Sequence, residues 1–193
     1  MKKILPILMA AIMCMALSSC GNVSITGDPV SYSNADKSFS IDLPTADEEF
    51  WIINENSASS VLDMSTSDDT VNIQVQCISK NQAGQTAGDL AAYKDYAMMN
   101  MLGDILADIT LEETDAETPD FITDSMAYEF SLSGDVRGMV LFMESNQCYY
   151  TYFVMAVDKA YSGNSRVFSD SIMSLAEKTD TSVPEASEAA DNE

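Results

Sequence analysis

The most reactive side chains in this 193-residue sequence are four cysteines, at 14, 20, 77 and 148, and no histidine accompanies them. Without imidazole the chain lacks the usual general base, the partner that activates Ser or Cys, and the commonest transition-metal ligand. A cysteine nucleophile is therefore disfavoured. Cys77 and Cys148 fall on apolar faces of expected strands. There a pair either bridges in an oxidising compartment or stays reduced as two small buried hydrophobes. A bridge needs Cα atoms within about 7 Å of each other, which spacing along the chain does not give.

Other groupings carry less chemistry. In Met98-Met99-Asn100-Met101 the thioethers suit Cu(I). On a helix, however, Met99 and Met101 point about 200° apart, and Met98 and Met101 lie on an apolar stripe, so core packing is the better reading. The acids Glu112, Glu113, Asp115, Glu117 and Asp120 lack the D-x-D-x-D-G spacing of a calcium loop and read as a solvated loop. Carboxylates are too abundant for any one pair to mark a glycosidase dyad. Neither a phosphate-binding loop, nor G-x-G-x-x-G, nor G-x-S-x-G occurs. These residues imply no cofactor, no metal and no catalytic site, hence no enzyme. The aromatic group Tyr149, Tyr150, Tyr152 and Phe153, with Phe50 and Trp51, is the best candidate for a binding surface, although strands favour aromatic residues for packing alone.

At the N-terminus, Lys2-Lys3 precede a mostly apolar run of 14 residues, 4–17, as in a bacterial export signal. A bilayer-spanning helix needs about 20 apolar residues, so the run is short for a permanent anchor. The run ends in Leu17-Ser18-Ser19-Cys20, which resembles the lipobox of bacterial lipoproteins. That resemblance implies a diacylglyceryl group on the Cys20 thiol, cleavage before Cys20, and palmitate-type acylation of the mature end. It makes residues 1–19 a signal peptide and Cys20 the lipid attachment site, and it places the protein on the extracytoplasmic side of the cell membrane. Two acyl chains, at about 0.8 kcal/mol per buried CH₂, hold a protein on a bilayer far better than one does.

Residues 20–36 are rich in Gly, Ser, Asn and Pro and read as a lipidated flexible tether. Residues 179–193 are small and acidic and read as a disordered tail. The formal net charge is -22, from 31 acidic and nine basic residues, and losing Lys2 and Lys3 takes the mature chain to -24. Such a charge repels polyanions, so no nucleic acid is expected as a partner. It also argues against docking on anionic lipid through basic residues.

One domain, 37–178, lies between tether and tail. Alternation marks a strand at 38–43, closed by Pro44, and another at 69–79, with Val71, Ile73, Val75 and Cys77 on one face. Shorter strands are expected at 50–53 and 60–64. A helix follows over 88–108, with Asp89 as N-cap and Leu90, Tyr93, Ala97, Met98, Met101, Leu102, Ile105 and Ile109 on one stripe. Three strands joined by tight turns, 125–133, 136–144 and 147–157, precede a last helix over 161–177. Both faces of 147–157 are apolar, so the fold class is α+β, an antiparallel sheet with helices packed on both faces.

The segment FSIDLP at 39–44, Trp51 soon after it, the central amphipathic helix, the aromatic strands and a last helix ending Ile172-Met173-Ser174-Leu175 resemble the PsbP-like fold. That fold is shared by the extrinsic PsbP protein of photosystem II, a nuclear-import factor that binds Ran GTPase, and many bacterial lipoproteins. The resemblance covers 37–178 and implies a PsbP-like sandwich with a non-enzymatic accessory or binding role for an envelope protein or complex. It carries over no functional residue. A small-molecule or metal-ion binding lipoprotein for uptake or sensing is the alternative.

Overall fold

The computed structural model describes residues 24–47, 49–83, 87–102, 109–132 and 135–178. The expected signal peptide, Cys20, the end of the central helix at 103–108 and the acidic tail lie outside the described residues.

In chain order the elements are β1 (Asp28–Ser33), β2 (Phe39–Thr45), β3 (Trp51–Ile53), β4 (Val61–Thr66), β5 (Val71–Ser79), α1 (Lys80–Ala83) and α2 (Leu90–Leu102). Then come β6 (Thr110–Thr114), β7 (Ile122–Leu132), β8 (Val136–Ser145), β9 (Cys148–Val157), α3 (Asp158–Met173) and β10 (Ala176–Glu177). A seven-stranded antiparallel sheet runs β3-β4-β5-β9-β8-β7-β6, and a three-stranded one runs β1-β2-β10. The architecture is antiparallel α+β.

Period-two alternation divides the apolar side chains into two clusters. Tyr150, Tyr152, Val154 and Ala156 of β9 join Ile73 and Val75 of β5, Phe39, Ile41 and Leu43 of β2, and Tyr161, Phe168 and Ile172 of α3. Their neighbours Tyr149, Phe153 and Met155 join Phe130, Val140, Phe142 and the α2 residues Leu90, Tyr93, Ala97 and Met98. The first turn of α2 is capped as expected, Ala92 N donating to Asp89 Oδ1 at 2.8 Å. In the second cluster Phe130 stacks on Phe153, with ring centroids 5.5 Å apart. Gly138 makes room for this: a Cβ there would lie 2.3 Å from the Phe130 ring.

Several boundaries differ from the sequence expectation, four of them with a clear physical reason. The tether read over 20–36 is folded from residue 24 onward. Ile25 is buried and its N–H donates to Asn164 Oδ1 at 2.8 Å, while β1 pairs with β2 from Asp28↔Thr45 to Ser33↔Ser40. Backbone pairing with a distant strand leaves little trace in a segment rich in turn residues. Pro44 lies inside β2 rather than ending it, because β10 pairs only with Phe39 and Ser40 and leaves the far end of β2 an edge. Glu112 and Glu113 sit in strand β6 rather than a loop; β6 is an outer strand, and charged residues there block further pairing. The last helix begins at Asp158 and stops at Met173, not over 161–177. Ser174 Oγ accepts from Asp42 N at 2.7 Å, and the chain then pairs with β2 as β10.

Candidate functional site

β3 forms the opposite edge of the large sheet from β6, and its sequence is Trp51-Ile52-Ile53. It is held from one side only, by pairing with β4. The Trp51 indole is buried in the first cluster, and its Nε1 donates to the Pro44 carbonyl at 2.9 Å, tying β3 to the small sheet. Phe50 packs edge-on against Trp51 with centroids 5.5 Å apart. The far end is clamped by Asn54, whose N donates to the Asp63 carbonyl at 2.9 Å and whose Nδ2 donates to Asp63 Oδ2 at 3.0 Å. Asn72 Nδ2 holds the other Asp63 oxygen at 3.0 Å, so the buried carboxylate is met by two amides.

On this frame Ile52 and Ile53 stand in solvent, 52% and 44% exposed. Beside them is an open groove of about 760 Å³ lined by Asp47, Glu49, Trp51, Ile52 and Ser67. Neither Asp47 nor Glu49 is in an ion pair among the described residues. An apolar strip beside two uncompensated carboxylates can receive apolar side chains flanked by Lys or Arg. The unpaired side of β3 can also accept an added strand.

The aromatic residues singled out in the sequence separate. Tyr149, Tyr150, Tyr152 and Phe153 are all buried and belong to the core, whereas Trp51 lines the groove and Phe50 packs edge-on against it. Burial pushes the Tyr93 and Tyr152 hydroxyls well above the usual range, and each is hydrogen-bonded, to Thr151 at 2.8 Å and Ser171 at 2.7 Å. They act as structural hydroxyls. Met98 packs in the second cluster and Met99 is exposed, consistent with helix geometry. Among the described residues no group of three or more Cys, Asp or Glu is placed to hold a metal ion. No helix among them is long and apolar enough to cross a membrane. Cys77 and Cys148 are both free thiols. Sequence reasoning reached Phe50 and Trp51 but missed Ile52, Ile53, Asp47, Glu49 and Ser67. The legible signal was two adjacent isoleucines in a very short strand between acids.

No known family profile matches the chain, and no curated protein sequence does. Among solved structures, the solution structure of cyanobacterial PsbP (CyanoP) from Synechocystis superposes with a TM-score of 0.53 at 14% identity, covering 84% of this chain and 99% of that one. A Pseudomonas aeruginosa protein of unknown function, described as a putative regulator, gives 0.45 at 10% identity over 79% of this chain and 99% of that one. LpqN of Mycobacterium tuberculosis, described as involved in cell envelope biogenesis, gives 0.40 at 14% identity over 79% of this chain and 91% of its own. Of these three, the first superposes closely enough to define a shared fold, and that fold is PsbP-like.

Proposed function

We propose that this chain is a membrane-anchored extracytoplasmic lipoprotein acting as a non-enzymatic accessory to an envelope protein, which it grips through the β3 groove. In this reading the domain is a PsbP-like sandwich with a helix on each face of the large sheet. The observation that carries the docking role is the contrast between the two sheet edges. Edge β6 presents Glu112 and Glu113, while edge β3 presents Ile52 and Ile53. Charged edges discourage pairing, and an apolar edge beside a groove invites it.

The position of the groove relative to the anchor adds a second argument. Ile25 lies five residues along the chain from Cys20, so the acylated end reaches at most about 18 Å from the domain. Ile25 is fixed to α3 through Asn164, and Gly27 lies against the backbone of Thr45 and Ala46, next to Asp47 of the groove. The anchor thus enters beside the groove, which favours a partner embedded in or lying on the same membrane.

Ile52→Glu tests the reading. The side chain is exposed, so stability should change by no more than about 0.5 kcal/mol. Capture of a stoichiometric partner from detergent-solubilised membranes should fall tenfold or more, the effect of losing about 1.4 kcal/mol of binding. Equal capture by wild type and variant would remove the groove from the account.

A further inference from the structure

Cys77 and Cys148 lie on adjacent antiparallel strands in a diagonal relation. Cys77 faces Tyr150, and Cys148 faces Ser79, two residues away on the same side of the sheet. Cys77 is buried and Cys148 is half-buried, so the pair opens toward solvent through Cys148 alone. The second thiol is held by a rigid turn: Ser145 Oγ accepts from the N–H groups of Gln147 at 3.2 Å and Cys148 at 2.9 Å. The β5–β9 register makes the two thiols diagonal neighbours on one side of the sheet. Tyr150 faces Cys77 across the two strands, and its fully buried hydroxyl makes no hydrogen bond. An orphaned buried hydroxyl costs about 1–3 kcal/mol, so it marks a place where a stronger acceptor belongs.

Two chemistries suit a pair of thiols, and the geometry separates them. Diagonal neighbours across an antiparallel pair stand about 7–8 Å apart, beyond the roughly 6.8 Å that a disulfide ordinarily spans between Cα atoms. A bridging ion adds reach. With metal–sulfur bonds of about 2.3 Å, two sulfurs up to about 4.6 Å apart can share one ion, against about 2.05 Å in a disulfide.

We propose that Cys77 and Cys148 form a two-sulfur site that binds one Cu(I) ion between their thiolates, with the Tyr150 hydroxyl donating to the Cys77 sulfur. Soft thiolates select Cu(I). Binding converts two S–H groups and Cu⁺ into an anionic bis-thiolate complex and releases two protons. This site is independent of the β3 groove, so either can fail without the other.

The test is anaerobic titration of the full chain with Cu(I) against a competing Cu(I) chelator. One equivalent per chain is expected to withstand the competitor. Cys148→Ser, at a half-exposed position that tolerates the change, should lose that binding by about 100-fold or more. Tyr150→Phe should keep the stoichiometry but bind roughly 10-fold more weakly, the usual effect of removing a partner behind a metal ligand. Copper retained undiminished by Cys148→Ser would overturn the proposal. So would no binding above the competitor, or isolation of the reduced-handled protein with its two domain thiols joined in a disulfide.

Discussion

Cys20→Ala is expected to move the protein from the membrane fraction to the soluble fraction. The expectation follows from three quantities. Two acyl chains contribute about 0.8 kcal/mol for every buried CH₂. The apolar run at 4–17 is shorter than the roughly 20 residues that span a bilayer. The remaining surface is strongly acidic, at -22 with residues 1–19 retained and -24 without them, and offers little to an anionic leaflet. With the acyl chains gone, no comparable attraction remains. Fractionation with a carbonate wash measures it, and a variant still retained by washed membranes would contradict the anchor.

Gly138→Ala should be among the most damaging single substitutions in the domain. An added Cβ would sit 2.3 Å from the Phe130 ring tip and 2.4 Å from the Val154 carbonyl oxygen. The first contact would force apart the Phe130–Phe153 stack; the second presses on backbone in the centre of the sheet, which cannot rotate away. Overpacking of this kind costs about 3 kcal/mol or more, or roughly 6–12 °C in Tm for a domain of this size. Gly163→Ala provides the opposite case. No atom lies within 4 Å of a Cβ at that position, it is exposed, and it sits within α3. Removing a mid-helix glycine should stabilise by about 0.5–1 kcal/mol. Urea unfolding of the two variants should therefore shift in opposite directions, and a Gly138→Ala protein melting within a degree or two of wild type would show that the packing has been misread.

Much of the fold was legible because the physics that built it is local. The alternation of Val71, Ile73, Val75 and Cys77 gave β5, and the two apolar faces of 148–157 gave the central strand of the large sheet. Asp89 marked the start of α2. What stayed hidden depends on partners far away in sequence. β1 has no strong alternation, and it exists because β2 offers a free edge and Asn164 holds Ile25. β10 is only two residues long, a length at which periodicity carries no signal. The acids at 112 and 113 read as a loop from charge alone, yet an outer strand carries charge for a physical reason.

The candidate site was less legible than the fold, for a related reason. Composition drew attention to the densest aromatic cluster, and burial turned most of it into core, with Tyr150, Tyr152 and Phe153 at or near zero exposure. Exposure of an apolar pair is a property of the assembled sheet. What exposes Ile52 and Ile53, unlike most other aliphatic residues of the domain, is that β3 ends the strand order. The diagonal relation of Cys77 and Cys148 likewise depends on the β5–β9 register.

The central claim is that an anchored domain grips a membrane partner through β3. Photo-crosslinking in intact cells tests it most directly, with the reactive side chain placed in turn at Ile52 and at Met99, which is 72% exposed on α2. One protein adduct should form from Ile52, be absent from Met99, and disappear in the Cys20→Ala background. No adduct from Ile52, or the same adduct from both positions, would contradict the account.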